Sequence, residues 1–281
     1  MSDDYLYRQM TSNLLEEDVE NILDEALDQA GETLYVVDPS AAVIEVFVAV
    51  AAAAEEVPDV RLLADEDVLK YVMGDFLVGS SAADLVEEGT LEMRTLVEDE
   101  DNSLLVSAEA VMALVAAGDN VGALVTEDRE FVDAVVAAYG EVWADAEPYN
   151  LRTPAISHVR ETLAAEIGEA TRDDFDAVLG ALETARGNGD GLDEVTISLL
   201  VAAKNDVLLY DISKWGEDVG IASKATFSRT KTWLEDVGVI DTEKVPIDVG
   251  RPRLRLKLGD ERLVGAQPGE LASLTKELLA E

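Results

Sequence analysis

The run Ser223-Lys224-Ala225-Thr226-Phe227-Ser228-Arg229-Thr230-Lys231-Thr232-Trp233-Leu234 carries two chemistries at helical spacing. At about 100° per residue, Phe227, Thr230, Leu234 and Val237 fall on one face. Lys224, Ala225, Ser228, Arg229 and Thr232 fall on the opposite face, which is basic, small and hydrogen-bonding. A helix can insert such a face into a major groove without a clash and read base edges there. Ser223 suits the N-cap and leaves free amides at the helix start for a phosphate. Further on, Leu254, Leu256 and Leu258 alternate with Arg253, Arg255 and Lys257, the period of a half-buried strand with a basic face. Arg251, between Gly250 and Pro252, sits at a turn tip. Arg251 and Arg253 are placed to meet backbone phosphate or a minor groove.

The elements that must position these residues are legible around them. Asp193 to Ala203 reads as an apolar helix, and Tyr210 to Val219 as a second one stopped at Gly220. Gly238-Val239-Ile240 then leads into strands at Thr242–Ile247 and Arg253–Leu258, joined around Asp248-Val249-Gly250-Arg251-Pro252. Helix, turn, capped helix and β-ribbon in this order predict a winged helix-turn-helix. Charge agrees. The chain has 21 Lys and Arg against 60 Asp and Glu, a net charge of -39. Asp193 to Gly265 holds 11 basic and 13 acidic residues, and Ala222 to Lys257 alone holds 8 and 5. An acidic chain that spares one segment presents that segment to a polyanion, here double-stranded DNA. The competing reading, a helical hairpin and ribbon for protein contacts only, explains neither the basic face nor the charge gap.

Upstream, a helix is expected from Asn13 to Ala30, then strands at Thr33–Val37, Val60–Leu63, Leu91–Val97, Ser103–Val106 and Val121–Val125. Between them helices are expected at Ala41–Glu55, Val68–Glu88 with a break near Gly79, Ala108–Ala117 stopped by Gly118, and Asp128–Tyr139. This alternation predicts an α/β sandwich with a mostly parallel sheet over residues 1–150. Two helices, Ala155–Ile167 and Thr171–Ala185, and the linker Gly187-Asn188-Gly189-Asp190-Gly191 form a connector over 151–191. The winged helix-turn-helix covers 192–265 and a last helix 266–281. In open α/β sheets ligands collect beyond the carboxyl ends of the strands. That marks Asp38, Ser40, Asp65, Ser107, Thr126 and Asp128 for a small-molecule effector, although all six also suit helix capping.

Composition excludes much else. Hydrophobic residues make up 48% of the 281, enough for a real core. The acidity reads as adaptation to very high salt, where surface repulsion is screened over about 3 Å at 1 M. There is no cysteine, hence no disulfide, thiolate metal site or cysteine nucleophile. A single histidine, His158, excludes an imidazole zinc cage and the paired-histidine phospholipase D mechanism. No Gly-rich phosphate loop or Gly-x-Ser-x-Gly appears. A magnesium-dependent phosphoryl-transfer or nuclease enzyme using Asp38, Asp65 and Asp128 is the alternative reading. No catalytic residue, cofactor or metal is assigned. Met1 to Gln9 has no secretory core and Ala41–Ala54 is too short to span a bilayer, so a soluble, cytoplasmic protein without membrane partner is expected. One recognition helix reads few base pairs, so a homodimer is expected, with Ala155–Ala185 contributing to its contact.

Ser223 to Ile240 resembles the recognition helix and following strand of winged helix-turn-helix regulators. Their Ser, Thr, Ser-Arg, Leu-Glu, Gly and Ile positions match Ser223, Thr226, Ser228-Arg229, Leu234-Glu235, Gly238 and Ile240. Gly220-Ile221-Ala222-Ser223 has one residue more than the usual Gly-Leu-Ser turn. The whole chain, from Ser12-Asn13-Leu14-Leu15-Glu16 through Leu34-Tyr35-Val36-Val37-Asp38-Pro39 to the wing, resembles the haloarchaeal TbsP-type regulators. The resemblance implies a DNA-binding transcription factor of a salt-loving archaeon, functionally near the sugar-responsive TrmB-type regulators and acting on central carbon or sugar metabolism genes. In TrmB-type chains the winged helix is N-terminal, so their effector site does not transfer.

Overall fold

A computed structural model describes residues 13–16, 19–96, 102–117, 120–186, 192–246 and 252–280. The expected 187–191 linker, Gly118 and Arg251 lie outside the described residues. The chain divides into two compact units. The first holds Met1–Met73 and Ser81–Leu151, the second Gly74–Ser80 and Arg152–Glu281.

In the first unit the elements run β1 (Asn13–Glu16), α1 (Val19–Gln29), β2 (Thr33–Val37), α2 (Ala41–Ala53), β3 (Asp59–Ala64), α3 (Glu66–Met73), α4 (Phe76–Glu87), β4 (Leu91–Thr95), β5 (Leu104–Val106), β6 (Val111–Ala117), β7 (Asn120–Thr126), α5 (Arg129–Asp145) and β8 (Glu147–Pro148). The first residues of α4, Phe76–Ser80, count with the second unit. The eight strands form one sheet in the order β1-β7-β6-β5-β2-β3-β4-β8. Only β2–β3 and β3–β4 pair in parallel; the other neighbours are antiparallel.

This overturns the expected mostly parallel sheet. The decisive segment is Val111–Ala117, a strand where alanine content pointed to a helix. Alanine's helix preference is a weak prior of under 1 kcal/mol per residue, and pairing on both edges by β5 and β7 outweighs it. Ser107 makes the preceding turn, its Oγ accepting from the Glu109 and Ala110 amides at 3.2 Å each. Without a helix there is no crossover, and a short turn can return the chain only antiparallel. Asn13–Glu16 is likewise a strand, drawn onto β7, and α1 starts at Val19. The long helix breaks at Gly74–Asp75, not Gly79, because Asp75 Oδ1 accepts from the Leu77 amide at 2.9 Å and begins α4. Alternation along β2 sends Tyr35 and Val37 to one face, where they pack with Leu63, Val106, Val111, and Val132 and Trp143 of α5. Leu34, Val36 and Leu62 on the other face are buried too.

The second unit adds α6 (Ile156–Glu166), α7 (Glu169–Leu179), α8 (Glu194–Lys204), α9 (Leu209–Val219), α10 (Lys224–Asp236), β9 (Ile240–Val245), β10 (Arg253–Leu258), α11 (Glu261–Val264) and α12 (Pro268–Ala280). One hydrophobic core joins Val159, Leu163, Phe175 and Val178 to Leu200, Trp215, Phe227, Leu234, Leu256 and Leu271. The helices of the connector, the wing and the last helix thus share a core. Trp215 Nε1 donates to Thr162 Oγ1 at 3.1 Å, satisfying the indole in that core.

Candidate nucleic-acid interface

Three caps set the path of the helix-turn-helix. Asp193 caps α8, accepting from the Thr196 amide at 2.7 Å. Gly220, at φ 92°, ends α9, and the Ile221 amide returns to the Gly216 carbonyl at 2.8 Å, a Schellman-type closure. In the longer turn Ile221 drops its side chain into the core and Ala222 packs partly against it. Ser223 caps α10, its Oγ accepting from the Thr226 amide at 3.2 Å. Gly216 fixes how closely α10 lies on α9: a Cβ there would stand 2.3 Å from the Phe227 ring.

The outer face of α10 carries Lys224, Ala225, Ser228, Arg229 and Thr232, all exposed, with Ser223 exposed at its head. The inner face is Phe227, Lys231 and Leu234. Two expectations change here. Val237 is 39% exposed at the end of the helix rather than packed, and Lys231 takes an inner place. Its aliphatic stem runs along the core while Nζ meets Glu235 at 2.6 Å, with Glu235 also accepting from Thr242 Oγ1. Lys231 therefore adds nothing to an outward basic patch. Trp233, exposed next to the Arg229 side of the helix, was not singled out by the sequence.

The wing is a β9–β10 hairpin with Arg253 opposite Val245. Its free edge is extended by the backbone before α9: Leu256 N donates to Val207 O at 2.9 Å, and Leu208 bridges Arg255. Arg253 lies over the Tyr210 ring, 4.2 Å from its centroid, and reaches Asp211 at 3.4 Å. Tyr210 is a contact the sequence reading missed; its signal was an aromatic residue at the head of a surface helix.

Most cations around this surface are paired. Lys224 Nζ bonds Glu217, whose other oxygen accepts from the Lys224 amide at 3.3 Å. Lys214 meets Asp218, Arg255 meets Glu243 and Lys257 meets Asp206. Hydrogen bonds to Asp218 and Glu217 hold the Lys214 and Lys224 pKa values up, and the same bonds from the two lysines hold those of Asp218 and Glu217 down. Such exposed pairs are weak and screened by salt. Arg229 differs: its one hydrogen bond is to Thr226 Oγ1 at 3.4 Å, and among the described residues it makes no ion pair.

The six effector candidates of the first unit do not gather. Asp38 (φ 45°), Ser40 and Asp65 follow β2 and β3 at their carboxyl ends. Ser40 and Asp65 cap α2 and α3 through the Val43 and Val68 amides. Ser107, Thr126 and Asp128 follow β5 and β7, which run opposite to β2, and so lie toward its amino end. Asp128 caps α5, accepting from the Phe131 amide at 3.0 Å, and Thr126 Oγ1 accepts from the Asp128 amide. Among the described residues no three His, Asp or Glu converge on a metal position, and no helix is long and apolar enough to cross a membrane.

Residues 11–154 match the family model for the N-terminal domain of TbsP-like transcriptional regulators, and residues 155–276 the model for their C-terminal helix-turn-helix domain. No protein of curated function matches. Among solved structures, the chain is similar to TrmBL2, an archaeal chromatin protein reported with a novel mode of DNA binding. The identity is 17% over 50% of this chain, with a TM-score of 0.36, and the match spans 55% of that protein. It is also similar to Nuc, a phospholipase D family member from Salmonella typhimurium. There the identity is 11% over 49% of this chain and 99% of that one, with a TM-score of 0.33. Neither partial likeness bears on what this chain binds.

Proposed function

The chain belongs to the TbsP-like transcriptional regulators, DNA-binding proteins and not enzymes, and from that premise we propose how it reads DNA. Helix α10 enters the major groove with Ser223, Lys224, Ala225, Ser228, Arg229 and Thr232, while Arg253 and Arg251 of the wing hold phosphate or the adjacent minor groove. The observation that carries this is Arg229: exposed on the outer face and, among the described residues of a chain with 60 acidic side chains, without a carboxylate partner. The reading extends to a homodimer on two half-sites, a small-molecule effector taken by the first unit, and central carbon or sugar genes of a salt-loving archaeon. The apolar side chains of α6 and α7 lie in their own unit's core, so their contribution to a dimer contact would come from their outer faces.

Selection of binding sites from random duplexes in molar KCl tests the core of it. Wild type should enrich one motif, and Arg229→Ala should cost roughly 1–3 kcal/mol on it, with preference lost at one position. Arg251→Ala should weaken all sequences alike. No enrichment, or identical uniform losses from both changes, would show that α10 does not read bases. Light scattering in the same salt checks the dimer.

A further inference from the structure

A cavity of about 420 Å³ opens in the first unit at the amino end of β2. The α1–β2 turn (Ala30–Thr33), the β5–β6 turn (Ser107–Glu109) and Val136 of α5 form its walls, and Tyr35 and Arg61 form its floor. Tyr35 and Arg61 are register partners on β2 and β3. The Arg61 guanidinium stands 5.3 Å from the Tyr35 ring centre and 5.7 Å from that of Trp143, and its NH1 donates to the Tyr35 hydroxyl at 2.6 Å.

What it lacks is a counter-ion. Arg94, which also lies on Trp143, is neutralised by Glu92 at 2.8 Å. Arg129, which donates to the Ala108 carbonyl of the cavity wall, is neutralised by Glu109, also at 2.8 Å. Arg61 is half-buried between two aromatic rings and makes no ion pair among the described residues. A guanidinium has five donors in a planar fork, and Tyr35 accepts from one. The two rings, set edge to face at 81°, cover part of the guanidinium, and its remaining donors suit a planar or tetrahedral oxyanion. The neighbouring Arg94 and Arg129 each have a carboxylate partner, whereas Arg61 pairs with none among the described residues, Glu32 of the cavity wall included.

We propose that this cavity is the effector site of the first unit and that it takes a small organic oxyanion, a carboxylate or a phosphate ester, clamped by Arg61. The proposal rests on the effector reading given above and fixes its place and chemistry. Glu32, exposed on the wall, offers a hydrogen-bond acceptor to a hydroxyl group on the same ligand. The site lies at the opposite end of β2 from Asp38, Ser40 and Asp65. The antiparallel half of the sheet brings the β5–β6 turn to the start of β2, which a fully parallel sheet would not do.

Isothermal titration of the full chain in molar KCl with glycerol 3-phosphate, glycerate and glycerol tests it. One or both anions should bind saturably, the two distinguishing phosphate from carboxylate, and glycerol should not. Arg61→Met should weaken the anion at least about tenfold. Arg61→Lys keeps the charge but loses the fork, and should also weaken it if the methionine variant fails to fold by circular dichroism. Absence of saturable anion binding in wild type, equal binding of glycerol, or undiminished binding in a folded Arg61 variant overturns the site. DNA retention is measured in the same buffer. No anion binding with DNA binding intact removes the site and leaves the regulator; binding at Arg61 without change in DNA affinity keeps the site and removes the effector role.

Discussion

At the scale of the residue, in the docking proposed above Glu217 occupies the place of a DNA phosphate. Its carboxylate accepts from both the amide and the Nζ of Lys224, at the positive end of α10. In that docking DNA displaces it, and the displaced charge then faces the duplex. Glu217→Gln should therefore tighten binding to all sequences several-fold and steepen the salt dependence by about one counter-ion; anisotropy titrations at several KCl concentrations read both. Asp75 is a different case, because it is buried at 3% exposure. Burial pushes its pKa up, but bonds from Thr184, the Ala185 and Leu77 amides and Arg186 outweigh this and hold it below the ordinary value. The stability it contributes is full above the unfolded pKa of about 4 and is lost as pH falls through the lower folded value. Asp75→Asn should cost roughly 3 kcal/mol at neutral pH, and denaturation midpoints of variant and wild type should converge as acid protonates Asp75. An unchanged gap at low pH would contradict the assignment.

At the scale of the element, the angle at which α10 is presented depends on a glycine in α9. Gly216 lets the Phe227 ring sit where a Cβ would be, and Phe227 is fully buried. Gly216→Ala should cost about 1–3 kcal/mol by overpacking and should weaken DNA binding although residue 216 is not on the outer face of α10. Phe227→Leu in the same chain should recover much of both, as thermal midpoints and affinities would show; a merely propensity-based effect of alanine would instead stabilise α9. The outward face of α10 was legible beforehand because its 3.6-residue period is local. The exchange of Val237 for Lys231 on the inner face was not, since it depends on Glu235 and Thr242 meeting the lysine from outside the helix's own pattern.

At the scale of the whole molecule, -39 charges oppose the approach of DNA while a local surface invites it. At 0.1 M salt the repulsion extends over about 10 Å, and at 1 M over about 3 Å. The proposed contact between α10 and phosphate would work at shorter range and be screened less. Affinity for a selected site should rise from 0.1 M toward molar KCl, or fall far less steeply than the usual counter-ion release slope. Circular dichroism must show the fold intact across the range. A steep decline from low salt upward in folded protein would end the argument that the sparing of one segment from acidity serves DNA binding.

The sequence alone determined the winged helix-turn-helix, the face of α10 turned outward and the charge contrast. Each rests on information within a few residues: helical period, a serine cap, a glycine stop, a count of charges. Only the tertiary structure decided the direction of the strands. Whether Val111–Ala117 is helix or strand turns on neighbours far along the chain, β5 on one edge and β7 on the other. Alanine's small preference cannot overrule those pairings. That one decision made the sheet mostly antiparallel and divided the six strand-end candidates between its two ends. It also placed the β5–β6 turn beside the start of β2, where Arg61, Tyr35 and Trp143 come together from three separate elements. Their meeting depends on strand register and on the return of α5 across the sheet, neither of which any local spacing encodes.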